Sequence, residues 1–143
     1  MNAIDTNVLV YLVDTDEPIK QKLAEDLLIN LAEVPMTPVL LWQVAAEFLN
    51  CMRRWEQRGR IRREQTIEYF DQFEERFDLI LPVRSVLHTV LDLSSRYSLS
   101  HWDSLLVAAC IDAGVTTLYS EDMADGADYD GVRIVNPFRS PVS

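Results

Sequence analysis

Hydrophobic and polar positions along this chain follow two rhythms, short apolar runs bounded by turn residues and longer stretches with helical spacing. The first run is interrupted almost at once. Ala3 and Ile4 lead into Asp5, Thr6 and Asn7, and apolar residues then resume through Val13. If Ala3 and Ile4 belong to a buried parallel strand, Asp5 stands at its carboxyl end, where open α/β sheets place their ligand sites, and Thr6 or Asn7 can cap a following helix. The competing reading is one edge strand from Ile4 to Val13, which the poor strand preference of Asp and Asn disfavours.

Pro18 suits the first turn of a helix that continues through Leu23, Leu27, Leu28 and Leu31. The segment Pro35-Met-Thr-Pro38 predicts a second short strand or an extended turn. Leu40 to about Trp55 reads as a helix ended by Gly59, and Arg63 to Phe77 as another, apolar at Ile67, Phe70, Phe73 and Phe77. Asp78 to Val83 predicts a third strand. Ser85 is placed to cap a helix through Leu91 and Tyr97, and Ser100 opens one that Gly114 closes. Val115 to Tyr119 predicts a strand, followed by an acidic loop and a last strand, Val132 to Val135, stopped by Asn136-Pro137. Helices alternating with short strands predict an α/β three-layer sandwich, its mainly parallel sheet flanked by helices.

A length of 143 residues with 48% hydrophobic content suits one domain, residues 1–143, with one core. Asp5 follows the start without a basic region, and no apolar run reaches the roughly 18 residues of a membrane span. The expectation is a soluble, cytoplasmic protein with no membrane partner. Cys51 and Cys110 lie among apolar neighbours, where a thiol acts as a small hydrophobe. The net charge of -10 excludes a protein that coats nucleic acid through general basicity. Six of the thirteen basic residues are nevertheless gathered at Arg53, Arg54, Arg58, Arg60, Arg62 and Arg63. This cluster reads either as a local binding patch or as a solvated helix end around Gly59.

Four carboxylates stand out by position. Asp5 is the first. Leu40, Val44, Glu47 and Cys51 share one helical face, so either Glu47 reaches a polar cavity or the helix has a different phase. Asp103 precedes Leu106, Val107 and Cys110 along another face, but Ser100-His-Trp-Asp103 is also a capping box. Asp122 follows the strand ending at Tyr119. Two acids at strand ends and two on inward helix faces can converge at one sheet edge, where a hard divalent ion, Mg²⁺ or Mn²⁺, would balance them. Such an ion beside a phosphodiester lowers the pKa of an attacking water and neutralises charge at phosphorus. With His88 and His101 the only histidines and no zinc-type spacing, zinc chemistry is disfavoured. No glycine loop suited to phosphate is present, and Asp122 to Gly131 lacks calcium-loop spacing, reading instead as a solvated acidic turn.

These residues resemble the PIN-domain ribonucleases, particularly the VapC-like toxins of bacterial toxin–antitoxin pairs. The resemblance spans essentially the whole chain. It is carried by Ile4-Asp-Thr-Asn-Val-Leu-Val10, Gln43-Val-Ala-Ala-Glu-Phe48, Ser100-His-Trp-Asp-Ser-Leu-Leu-Val-Ala-Ala109 and Leu118-Tyr-Ser-Glu-Asp122. It implies a metal-dependent endoribonuclease whose acidic quartet is Asp5, Glu47, Asp103 and Asp122, supported by Thr6, Asn7 and Ser120. Glu121 adds a second acid beside Asp122, leaving open which of the two meets the metal. The implied partners are an RNA substrate, a small antitoxin and a second copy in a homodimer. Arg58, Arg60 and Arg62 are the candidate RNA contacts. Two other classes remain: a non-catalytic RNA- or protein-binding module of the same fold, and an aspartyl-phosphate phosphatase or receiver domain. The latter needs a lysine near its phosphoryl group, and the only lysines are Lys20 and Lys22.

Overall fold

The computed structural model describes residues 1–33 and 38–139. Its elements are β1 (Asn2–Ile4), α1 (Thr6–Val13), α2 (Pro18–Ala32), β2 (Val39–Leu41), α3 (Trp42–Gln57), α4 (Arg63–Arg76), β3 (Asp78–Ile80), α5 (Ser85–Arg96), α6 (His101–Ala113), β4 (Thr117–Tyr119), β5 (Asp128–Tyr129) and β6 (Val132–Val135). The strands form one sheet in the order β3-β2-β1-β4-β6-β5, parallel except for the antiparallel pair β5 and β6. The expected α/β sandwich with a mainly parallel sheet between helices is thus the observed one.

Central strands of such a sheet are covered on both faces and read as continuous apolar runs. Val39, Leu40 and Leu41 are all buried, as are Ala3, Ile4 and Leu118. On α3 the buried stripe is Val44, Ala45, Phe48, Met52 and Trp55, and Phe48 meets Phe73 of α4 edge to face, with ring centroids 5.0 Å apart. Gly114 ends α6 in a left-handed conformation, φ 76°, that glycine adopts without side-chain strain.

Several boundaries differ from expectation. The Pro35–Pro38 segment lies almost wholly outside the described residues; the strand of this region is Val39–Leu41. Leu40 is therefore a strand residue, and the helix begins at Trp42 with no side-chain cap on Leu41. Asp5, rather than Thr6 or Asn7, caps α1, accepting the Thr6 N–H at 2.7 Å. The continuous edge strand through Val13 is excluded by that helix. Ser85 lies inside the first turn of α5, whose cap is Arg84, and its hydroxyl donates to Asp112 across to α6. The third strand ends at Ile80, short of the predicted Val83. Within the acidic loop, Asp128–Tyr129 returns against β6 as a hairpin through Asp130 (φ 53°) and Gly131 (φ 93°).

Candidate functional site

The parallel register sets the site. Ile4 pairs with Tyr119, so β1 and β4 end together, and the residues that follow them, Asp5 and Ser120, meet at the carboxyl edge of the sheet. The Ser120 hydroxyl donates to Asp5 Oδ2 at 2.7 Å, while Asp5 Oδ1 accepts the Thr6 N–H. Asp5 is only 8% exposed and Ser120 is fully buried. Burial is the main cause that pushes the Asp5 carboxyl above its ordinary pKa. The bonds from Ser120 and Thr6 oppose it, and the neighbouring Glu47 and Asp122 carboxylates add to it. Neither lysine nor arginine forms an ion pair with Asp5 among the described residues.

Glu47 lies on the flank of α3 rather than on its buried stripe. A helix turns 100° per residue, and with Val44, Phe48 and Met52 facing the core, Glu47, Asn50, Cys51 and Arg54 form the adjacent strip. That strip borders an open groove of about 600 Å³ shared with Thr6, Asn7 and Asp122. Glu47 accepts from the Thr6 hydroxyl at 2.8 Å and from Gln43 Nε2 at 3.1 Å. Thus the helix phase differs from the predicted one, and the carboxylate nevertheless faces a polar space.

Asp122 is exposed in the same groove and accepts from Asn7 Nδ2 at 3.1 Å; Asn7 Oδ1 in turn accepts the Glu121 N–H at 3.3 Å. One asparagine thereby fixes the loop after β4 against the start of α1. Glu121 turns the other way. Its Oε1 accepts from Lys20 Nζ and from the Tyr11 hydroxyl, both at 3.0 Å. This ion pair turns the Glu121 carboxylate toward Lys20 and leaves Asp122 as the acid of this pair that lines the groove.

Asp103 is half-buried in the first turn of α6. Its N–H donates to Ser100 Oγ at 3.1 Å, which is one arm of the capping box; no bond returns from the Ser100 N–H to its carboxylate. The link to the other acids is indirect: Gln43 Nε2 donates to the Trp102 carbonyl at 3.2 Å as well as to Glu47. The structure therefore brings Asp5, Glu47 and Asp122 into one electrostatic neighbourhood and places Asp103 on the adjoining helix start. Among the described residues no three carboxylate, imidazole or thiolate groups form a ready cation site.

The predicted basic residues divide. Arg60 lines the groove, stacked over Trp55 at 4.0 Å and paired with Asp14 at 3.1 Å and Asp16 at 2.8 Å. Arg58 and Arg62 are exposed residues flanking the turn between α3 and α4 and do not line it. Sequence reasoning gave no site role to Gln43, Tyr11 and Lys20, and placed Arg54 only within the basic cluster. Gln43 and Arg54 had a readable signal, since they stand four residues before and seven after Glu47 on one helical strip. The Lys20 and Tyr11 contacts with Glu121 are tertiary and left no local mark.

Solved structures share the fold, among them the following three. A chain of a toxin–antitoxin complex from Klebsiella pneumoniae aligns over 96% of this chain and 98% of its own, with a TM-score of 0.68 and 18% identity. VapBC2 from Rickettsia felis, bound to a DNA fragment from their promoter, aligns over 93% and 96%, with a TM-score of 0.67 and 17% identity. VapC20 from Mycobacterium tuberculosis, described as a sarcin-ricin loop cleaving toxin, aligns over 85% and 90%, with a TM-score of 0.59 and 14% identity. Comparison with curated proteins gives no match. The family model for the PIN domain matches residues 3–124, a span that starts just before Asp5 and ends just after Asp122; the chain belongs to the PIN domain family.

Proposed function

We propose that this protein is a divalent-metal-dependent endoribonuclease and the toxin of a toxin–antitoxin pair. The observation that carries the reading is the Asp5 carboxyl, buried at the sheet edge beside two further acids with no basic side chain paired to it among the described residues. The family match and the toxins among its structural neighbours support it.

The donor chemistry suits a hard cation, although the carboxylates of the described residues are not already gathered around one. The donors are all oxygens, which suit Mg²⁺ or Mn²⁺. Beside Glu47, the Gln43 Oε1 atom is buried without a protein partner, an acceptor suited to a water held at the site. Asp5, Glu47 and Asp122 would hold the metal, and Asp103, at the adjoining start of α6, would complete the acidic quartet. When bound, the metal lowers the pKa of the attacking water and neutralises charge at phosphorus. The chain's own part is positional. Ser120 and the Thr6 N–H fix both Asp5 oxygens, Thr6 and Gln43 orient Glu47, and Asn7 orients Asp122. Holding these groups before substrate arrives removes reorganisation from the chemical step.

The receiver-type alternative loses its support here, because Lys20 is engaged by Glu121 and Tyr11 and leaves no lysine on Asp5. A small antitoxin and a homodimer belong to the same proposal. Exposed Trp42, Leu81, Leu87, Leu91 and Trp102 supply apolar area for such contacts. None of the described helices is long and apolar enough to cross a membrane.

The test is cleavage of RNA by the purified protein in Mg²⁺ or Mn²⁺. Cutting should stop in EDTA and in Asp5→Asn and Asp122→Asn variants. Equal cutting by those variants, or cutting that persists in EDTA, refutes the proposal. Calorimetry with Mn²⁺ separates the binding-module alternative, which predicts no metal binding by the wild type.

A further inference from the structure

The groove that holds Glu47 and Asp122 continues along α3, and its charges do not cancel evenly. Asp14, Glu17, Glu47 and Asp122 line it against two cations, Arg54 and Arg60. Arg60 is already committed: its guanidinium is shared by Asp14 and Asp16 and rests on Trp55. Arg54 is exposed and forms no ion pair among the described residues. It follows Glu47 by seven residues, so the two project from the same strip of α3 about 10 Å apart along the axis, with Asn50 between them.

We propose that Arg54, aided by Asn50, binds a backbone phosphate of the substrate strand next to the one being cleaved. The inference rests on the ribonuclease reading and adds the direction in which the strand runs, from the acidic edge along α3 toward its C-terminal end. Charge decides the choice of residue. A metal at Asp5, Glu47 and Asp122 would use the acids at one end of the groove. Asp14 and Arg60 offset one another, which leaves Arg54, among the described residues, as the lining cation with a free fork for a phosphate. Without it, an anionic strand would meet Glu17 and no compensating charge along this wall. Arg58 and Arg62, though near in sequence, lie outside the groove.

The experiment measures fluorescence anisotropy of a labelled single-stranded RNA 12-mer on the Asp103→Asn protein and on the same protein carrying Arg54→Ala, Arg54→Lys or Arg58→Ala. Each is titrated in Mg²⁺ across a salt series, with folding checked by circular dichroism. Arg54→Ala should weaken binding about tenfold at low salt. It should also reduce the slope of log K against log salt by about 0.7, the value of one released counterion on a single strand. Arg54→Lys should restore the slope but only part of the affinity, since a lysine supplies the charge without the fork. Arg58→Ala should match its parent. An unchanged slope in Arg54→Ala overturns the assignment while leaving the ribonuclease reading intact. Absence of RNA binding by the parent and of RNA cleavage by the wild type overturns both.

Discussion

Asp5→Asn should make the metal-free protein more stable while abolishing the proposed RNA cleavage. The wild-type carboxylate receives two hydrogen bonds of 2.7 Å, from Ser120 and from the Thr6 N–H. An amide keeps one acceptor, Oδ1 for the Thr6 N–H, and reverses the other contact, its Nδ2 donating to Ser120 Oγ; each bond falls from about 1.5–3 kcal/mol to about 0.5–1.5 kcal/mol, a loss of about 2–3 kcal/mol in total. Helix capping survives, since Asn and Asp cap equally well. Against that loss stands the cost of ionising a group that is 8% exposed and faces Glu47 and Asp122. The raised pKa shows that burial and repulsion outweigh the bonds. The net gain should be on the order of 1 kcal/mol, as is common when a functional site is neutralised, or about 3 °C in Tm for a chain of this size. Because the folded pKa lies above the unfolded one, the wild type carries no penalty below about pH 4 and the full penalty above its folded pKa. The variant's advantage should therefore appear as pH rises through that value. Urea unfolding in EDTA at pH 4 and pH 7 measures it. Adding Mn²⁺ at about 100 times its Kd should stabilise the wild type alone by about 2.7 kcal/mol and invert the order. A variant less stable than wild type in EDTA at pH 7 would show that the bonds win and that Asp5 is not held at a cost.

Other consequences are simpler to read. Arg60→Ala removes the cation over Trp55 and leaves Asp14 and Asp16 without their shared partner, and should cost about 1–2 kcal/mol in thermal unfolding. Lys20→Met leaves Glu121 with the Tyr11 hydroxyl alone. Since Lys20 is about one-third exposed, the loss should be about 1 kcal/mol or less, with Mn²⁺ affinity retained because Glu121 faces away from the groove. Burial pushes the Cys110 thiol up to about 12, so a thiol reagent at pH 8 should modify the half-buried Cys51 and leave Cys110 untouched until the protein unfolds. Mass spectrometry of the labelled peptides distinguishes them.

What the sequence disclosed depended on whether the determining interaction was local. The acid after Ile4 and the acid after β4 were legible because a polar residue breaking an apolar run marks the end of a buried strand, and the sheet register then joins them. The β2–α3 junction was not legible, since Val39-Leu-Leu-Trp42 runs on without a capping side chain and its first three residues become strand only by pairing with β1 and β3. The Asp130-Gly131 pair is a strong hairpin signal, hidden by the acids around it. The strand before it is held by contacts that no local pattern reveals. Arg96 and Tyr97, at the end of α5, both bind Asp130, and Tyr97 meets Tyr129 edge to face. Within the site, Asp103 kept its double reading because a capping position and an inward helix face coincide there. Gln43 settles its relation to Glu47 only through the carbonyl of Trp102.

The bond between Asp5 and Ser120 spans 115 residues of chain, and the β1–β4 pairing beneath it spans the same interval. Contacts of such separation form late, because a long loop must close before they contribute. A ribosome making this protein releases Asp5 ahead of the six described helices and Ser120 only after all of them. Until then the buried seat of Asp5 does not exist, and the nascent chain carries the acidic residues without the site they build.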